Sequence, residues 1–204
     1  MGGSPEVEVG SAAAGVASAG AEHAEAPADP GVWDRVVAHL SALGVPFAVS
    51  HHAPATTAQG AAEARGTDLR DGGKTLLVKV GKGAAGHFGL FTLCAADALH
   101  RGRLRKYFGT DRVRFASREE LLALTGLTPG SVPPFGAPIF ELPLYVDAGY
   151  AARAEAPPGA GPQAAARVVF TAGRHDRSLT LTVADHLRAA APVAIYAFAA
   201  DGPG

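Results

Sequence analysis

A single cysteine, Cys94, denies this chain a disulfide framework and any zinc site built from several thiolates. It lies in the apolar run Leu90-Phe91-Thr92-Leu93-Cys94, where a buried small hydrophobe is expected rather than a nucleophile. No stretch approaches the ~18 consecutive apolar residues of a membrane span. The N-terminus has neither a basic region nor a compact apolar core, so the expectation is a cytoplasmic protein without a secretory leader. The Gly-x-Ser-x-Gly elbow, the His-Glu-x-x-His pair and any Cys–His arrangement are all missing. Residues 1–30 hold no Lys, Arg, Phe, Trp or Tyr and are mostly Ala, Gly, Ser, Pro and Glu without periodicity. Such a stretch cannot offset its own ordering entropy and is expected to be disordered, leaving 31–200 as one domain.

What charge there is has been partitioned. The tail carries Glu6, Glu8, Glu22, Glu25 and Asp29, so a net charge of −1 for the whole becomes +4 for the rest. Between 100 and 118, Arg101, Arg103, Arg105, Lys106, Arg112, Arg114 and Arg118 face one acid, Asp111. This local patch suits a transient RNA ligand better than tight duplex binding, and equally suits a solvated helix face.

Periodicity and caps predict mixed elements. Pro30 opens a helix with Asp29 as cap; Trp33, Val36, Val37, Leu40 and Leu43 form its apolar stripe and Gly44 closes it. Pro46–His51 reads as a strand. Thr56 with Gln59 reads as a capping box for an Ala-rich helix ending at Gly66. Strands are expected at Thr75–Val80 and His87–Cys94, then a basic helix over 96–108 and a short strand at Val113–Phe115. Ser117 and Glu120 cap a helix over Arg118–Leu124. A strand over Phe140–Val146, a loop over 149–165, strands over Arg167–Thr171 and Ser178–Val183, a helix over Ala184–Ala190 and an apolar tail complete the domain. Without a steady βαβ rhythm the fold class is α+β.

Two glycine motifs fail on context. Gly81-Lys82-Gly83-Ala84-Ala85-Gly86 matches a dinucleotide fingerprint, but a strand pattern follows where a helix N-terminus is needed, so a hairpin loop is expected. Gly72-Gly73-Lys74-Thr75 resembles the end of a phosphate-binding loop, but Asp68 stands where the leading glycine belongs. Lys74 instead opens a strand, after two glycines that strip away covering side chains; such a lysine is ordinarily a strand-end residue reaching solvent. His51 and His52, as strand neighbours, point to opposite faces, and metal ligation has little support.

The most constrained stretch is Gly130-Ser131-Val132-Pro133-Pro134-Phe135-Gly136. With prolines at 129, 133, 134 and 138 it cannot be a helix interior or a central strand. By itself it reads as a proline-stiffened turn, with N–H groups at Gly130, Ser131 and Val132 available to a ligand. Taken in order, Lys-Thr-Leu-Leu-Val-Lys (74–79), Val-Arg-Phe-Ala-Ser-Arg-Glu-Glu-Leu (113–121), Thr-Gly-Leu-Thr-Pro-Gly-Ser-Val-Pro-Pro-Phe-Gly (125–136) and Val-Val-Phe-Thr-Ala-Gly-Arg-His-Asp (168–176) resemble the YbaK-type, prolyl-tRNA-synthetase-associated editing domain family. The resemblance spans about 32–190.

The resemblance implies a central mixed, partly barrel-like sheet surrounded by helices. It implies a trans-acting aminoacyl-tRNA deacylase that needs no metal, cofactor or covalent intermediate. Its partners would be misacylated tRNA and an aminoacyl-tRNA synthetase, with no role for DNA or a membrane. In that picture Lys74 holds the terminal phosphate or substrate carbonyl, and the amides of Gly130, Ser131 and Val132 orient the carbonyl and its oxyanion. Thr56, Thr57, Pro134, Gly173 and His175 are pocket-wall candidates, and Arg101, Arg103, Arg105 and Lys106 form the RNA patch. The chain departs from the family at Ala172–Asp176, where several relatives carry His-Pro…Asn, and at Pro133, where many carry Thr or Ser. Alanine, serine, threonine and cysteine therefore all stay open as the amino acid removed. A non-catalytic module binding a tRNA end or a protein is the alternative on the same fold.

Overall fold

A computed structural model describes residues 7–9, 30–83, 86–155 and 165–200. In chain order the elements are β1 (Val7–Val9), α1 (Pro30–Ala42), β2 (Ala48–His51), α2 (Ala58–Arg65), a 3-10 turn (Leu69–Asp71), β3 (Gly73–Val80), β4 (His87–Cys94), β5 (Ala98–Leu99), α3 (Arg101–Phe108), β6 (Val113–Phe115), α4 (Arg118–Thr125), β7 (Leu144–Asp147), α5 (Ala148–Ala152), β8 (Arg167–Phe170), β9 (Arg177–Thr182), α6 (Val183–Ala190), β10 (Ala194–Tyr196) and β11 (Ala199–Ala200).

A mixed five-stranded sheet, ordered β10-β7-β4-β3-β6, lies beside an antiparallel four-stranded sheet, β1-β2-β9-β8. The β3–β4 hairpin places Lys74 opposite Leu93 and Leu77 opposite Leu90. Because side chains alternate along a strand, Leu77 and Leu90 join the main core with α1 and α6, whereas Val78, Phe91 and Leu93 join a second core under Leu104 of α3. Both faces of this sheet are thus covered, which accounts for the mostly apolar run Leu90–Cys94 of β4. The two sheets meet where Gly72 bridges Val169 in parallel, at the start of β3 and within β8. They stop short of a closed barrel, so the α+β class holds and the barrel likeness is limited to this seam.

Several boundaries differ from expectation for identifiable reasons. Leu43 is exposed; Val32 takes its place in the buried stripe of α1 with Trp33, Val36 and Leu40. The cap of α2 is Thr57, not Thr56: its hydroxyl accepts the Gly60 N–H at 3.1 Å. α4 has the expected capping box from Ser117 and Glu120. The strand expected from Phe140 begins only at Leu144, because Ile139 and Phe140 turn back to bond the Gly136 carbonyl. The expected loop over 149–165 starts instead with α5, capped by Asp147, whose Oδ1 accepts the N–H groups of Gly149 and Tyr150. The other oxygen of Asp147 accepts from Phe198 and Ala199, which draws the apolar tail into strands β10 and β11. Of the N-terminal stretch expected to be disordered, residues 1–6 and 10–29 lie outside the described residues; Val7–Val9 pairs antiparallel with β2.

Candidate active site

The seam between the sheets is open, and two loops close over it. Gly72, Gly73, Lys74 and Thr75 form its floor where β3 begins, with Val169, Phe170 and Thr171 of β8 beside them. Thr56, Thr57, Ala61 and Arg65 come from α2 and its leading loop; Gly130 and Val132 come from the proline loop. Together they enclose a pocket of about 200 Å³.

From Ser131 to Gly136 the proline loop is buried, and it is held by its carbonyls, so this part behaves as core. Thr171 Oγ1 donates to the Gly130 carbonyl at 2.7 Å, and Gly173 N–H donates to the Ser131 carbonyl at 2.7 Å. His186 Nε2 lies 2.9 Å from the Pro134 carbonyl and its Nδ1 lies 2.9 Å from the Tyr150 hydroxyl. A carbonyl only accepts, so Nε2 carries the proton and Nδ1 accepts from Tyr150. The Phe135 ring packs edge-on against Phe170 and His186.

Complete burial pulls the His186 pKa down to about 4, the bond to Pro134 opposing only in part. An unfolded histidine titrates near 6.5, so the unfolded chain takes up this proton first as pH falls. The contribution of neutral His186 is complete above about pH 6.5 and is expected to drain away towards pH 4, by about 3 kcal/mol in all. Urea unfolding at stepped pH should show that fall, and His186→Gln, which does not titrate, should flatten it.

Lys74 is half-buried, and its ammonium makes no hydrogen bond or ion pair among the described residues. Burial lowers its pKa, with the fields of Cys94 and Asp97 opposing the shift. The N–H groups of Gly130 and Val132 are also without an internal partner among the described residues. Of the residues singled out from sequence, Lys74, Gly130, Val132, Thr56 and Thr57 therefore share one pocket.

The others do not line it. Ser131 is fully buried, and its N–H and hydroxyl both turn back to the Thr128 carbonyl, at 3.3 and 2.9 Å, so its amide is already committed. Pro134 serves through its carbonyl, and Gly173 through its N–H. His175 is a brace: Nδ1 donates to the Ala55 carbonyl at 3.0 Å and Nε2 faces Thr128 Oγ1 at 3.1 Å, tying the two covering loops together. Arg101, Arg103, Arg105 and Lys106 are exposed on α3, beyond the second core and outside the pocket lining. Arg103 donates to the Ala199 carbonyl, so this arginine also has a structural contact. Arg65 was missed; at the end of an Ala-rich helix a basic residue reads simply as a favourable partner for the helix dipole. Among the described residues no three His, Cys, Asp or Glu side chains gather as metal ligands, and no helix is long and apolar enough to cross a membrane.

The chain matches the family model described as the aminoacyl-tRNA editing domain over residues 52–189. It is 33% identical to the multifunctional Ser/Thr-tRNA deacylase ProXp-y of Escherichia coli (strain K12) over 159 residues, 78% of this chain and 87% of the relative. A stretch of 93 residues, 46% of this chain, is 38% identical to 15% of a proline–tRNA ligase of Shouchella clausii (strain KSM-K16). Among solved structures, a candidate trans-editing enzyme for prolyl tRNA synthetase superposes with a TM-score of 0.60 at 25% identity, covering 86% of this chain and 98% of that one.

Proposed function

Because the chain belongs to the aminoacyl-tRNA editing domain family, it is a trans-acting aminoacyl-tRNA deacylase, and we propose that the seam pocket is where the ester is cut. The observation that carries this placement is a half-buried ammonium, Lys74, sharing a pocket with the N–H groups of Gly130 and Val132, all three without a partner among the described residues. Preorganised donors in a partly water-excluded site favour a developing negative charge more strongly than water does.

In this mechanism Lys74 and the two amides hold the aminoacyl carbonyl. A water oxygen attacks the carbonyl carbon, and the carbonyl oxygen gathers charge against these donors. The ester bond to the ribose then breaks: one water proton goes to the ribose oxygen and the other to solvent as the freed acid ionises. The neighbouring ribose hydroxyl of the substrate activates the water. The Ser131 amide has no part, being bonded to Thr128. Editing of this kind serves fidelity, because a synthetic site discriminates only ~1–3 kcal/mol per methylene.

Serine and threonine are the amino acids we assign to the pocket, an assignment supported by the Ser/Thr-tRNA deacylase named among the relatives and by the threonine-rich lining. The match within a proline–tRNA ligase supports work alongside a synthetase. The α3 patch is assigned to the body of the tRNA. Replacing Arg101, Arg105 and Lys106 together by Gln should raise KM for full-length aminoacyl-tRNA about tenfold and flatten its salt dependence. A minimal aminoacyl nucleoside should be hydrolysed as before; an equal loss on both substrates would remove the patch from recognition. The panel of mischarged tRNAs described below tests the assignment of substrate.

A further inference from the structure

The pocket wall contains a second cation besides Lys74. Arg65, at the C-terminal end of α2, is buried, with only 8% of its surface exposed. Its Nη1 donates to Ser178 Oγ at 3.0 Å, and its Nε makes a long contact of 3.5 Å with Thr67 Oγ1. Both partners are neutral. No carboxylate pairs with it among the described residues, and burial lowers its pKa with no anion to oppose the effect. Its Nη2 has no partner among the described residues, yet is not one of the sealed, unsatisfied atoms. Nη2 therefore keeps access to solvent on a residue that lines the pocket, which leaves that edge of the guanidinium available.

The surrounding network fixes that edge. His52 Nδ1 donates to the Ala53 carbonyl at 2.9 Å, so its Nε2, 2.9 Å from Ser178 Oγ, accepts the hydroxyl proton. Ser178 Oγ is then free to accept from Arg65, and the guanidinium plane is held by the buried Ser178 hydroxyl, itself oriented by half-buried His52. A buried guanidinium tied only to hydroxyls is electrostatically incomplete, because hydroxyls carry no charge to offset its own. A planar fork with a free edge is also the geometry that grips a phosphate through two parallel bonds.

We propose that Arg65 binds the phosphate group 5′ to the terminal nucleoside of the substrate. This leaves Lys74 to the carbonyl and divides between two residues the two tasks open to that lysine. The proposal rests on the deacylase reading of this pocket, and it makes Arg65 a substrate-binding residue supplied by α2.

The test compares adenosine 5′-monophosphate with adenosine, titrated into the full chain and followed by NMR. Wild type should bind the monophosphate at least tenfold more tightly, and Arg65→Met should erase the difference. Arg65→Lys keeps the charge, loses the fork and should retain only part of the preference; it carries the test if Arg65→Met does not fold. A preference unchanged in either folded variant, or absent from wild type, overturns the proposal. Hydrolysis of aminoacyl-tRNA is measured alongside. An Arg65-dependent preference without hydrolysis would support the phosphate site and sink the deacylase reading of the pocket. Hydrolysis without that preference would do the reverse.

Discussion

Lys74→Ala is expected to lower the rate of deacylation by about two to three orders of magnitude, the loss seen when one preorganised oxyanion donor is removed. The fold should be untouched. Lys74 sits at the start of β3, where register with Leu93 is set by backbone bonds that the substitution leaves in place. Its ammonium has no ion pair to lose among the described residues, and its removal relieves a desolvated charge. Thermal melting should therefore give a midpoint equal to or above wild type, while single-turnover hydrolysis collapses. A variant that melts early would instead point to a structural lysine.

Gly130→Ala should be nearly as damaging to activity, and for a different reason. Gly130 has φ +87°, and a Cβ there would lie 2.1 Å from the Thr56 carbonyl oxygen and 2.7 Å from its carbon. Both are backbone atoms, so the proline loop and the loop leading into α2 touch main chain to main chain. No rotamer change relieves that contact; the two loops must part, and the N–H groups of Gly130 and Val132 move with them. A destabilisation of about 2–4 kcal/mol is expected, combining left-handed strain with overpacking, together with at least a hundredfold loss of hydrolysis. Gly109→Ala is the control: it also has positive φ, +63°, but nothing lies within 4 Å of its Cβ. It should cost about 1 kcal/mol and leave turnover alone. Equal effects at the two positions would show that backbone strain, not the loop-to-loop contact, is what matters.

Local chemistry made much of this architecture readable from sequence. The stripe of α1, the capping box of α4 and the β3–β4 hairpin are each dictated by residues within a few positions of one another. What escaped depends on distant partners. Ala148–Ala152 resembles the low-complexity stretch that follows it, yet Asp147 caps it and Tyr150 anchors it through His186. The C-terminal strands exist because the same Asp147 captures the amides of Phe198 and Ala199, about fifty residues away.

The site divides the same way. Lys74 and the proline loop stood out through the resemblance of their motifs to the editing-domain family. By themselves they read as a strand-end lysine and a stiffened turn, and the part given to them here is the one proposed above. The commitment of the Ser131 amide and the bracing role of His175 depend on how the loops fold back on each other. Arg65 gave no signal because the role proposed for it rests on the lack of an anionic partner among the described residues, and absence of a partner has no sequence signature.

The most direct test of the account is deacylation of a panel of mischarged tRNAs, including alanyl-, seryl-, threonyl- and cysteinyl-tRNAs, by wild type and by Lys74→Ala at equal, sub-stoichiometric concentration. The account predicts multiple turnovers on the seryl and threonyl members by wild type and a rate about two to three orders of magnitude lower by the folded Lys74→Ala protein. Hydrolysis at a near wild-type rate in Lys74→Ala, or a folded wild type that turns over no member of the panel, would contradict it.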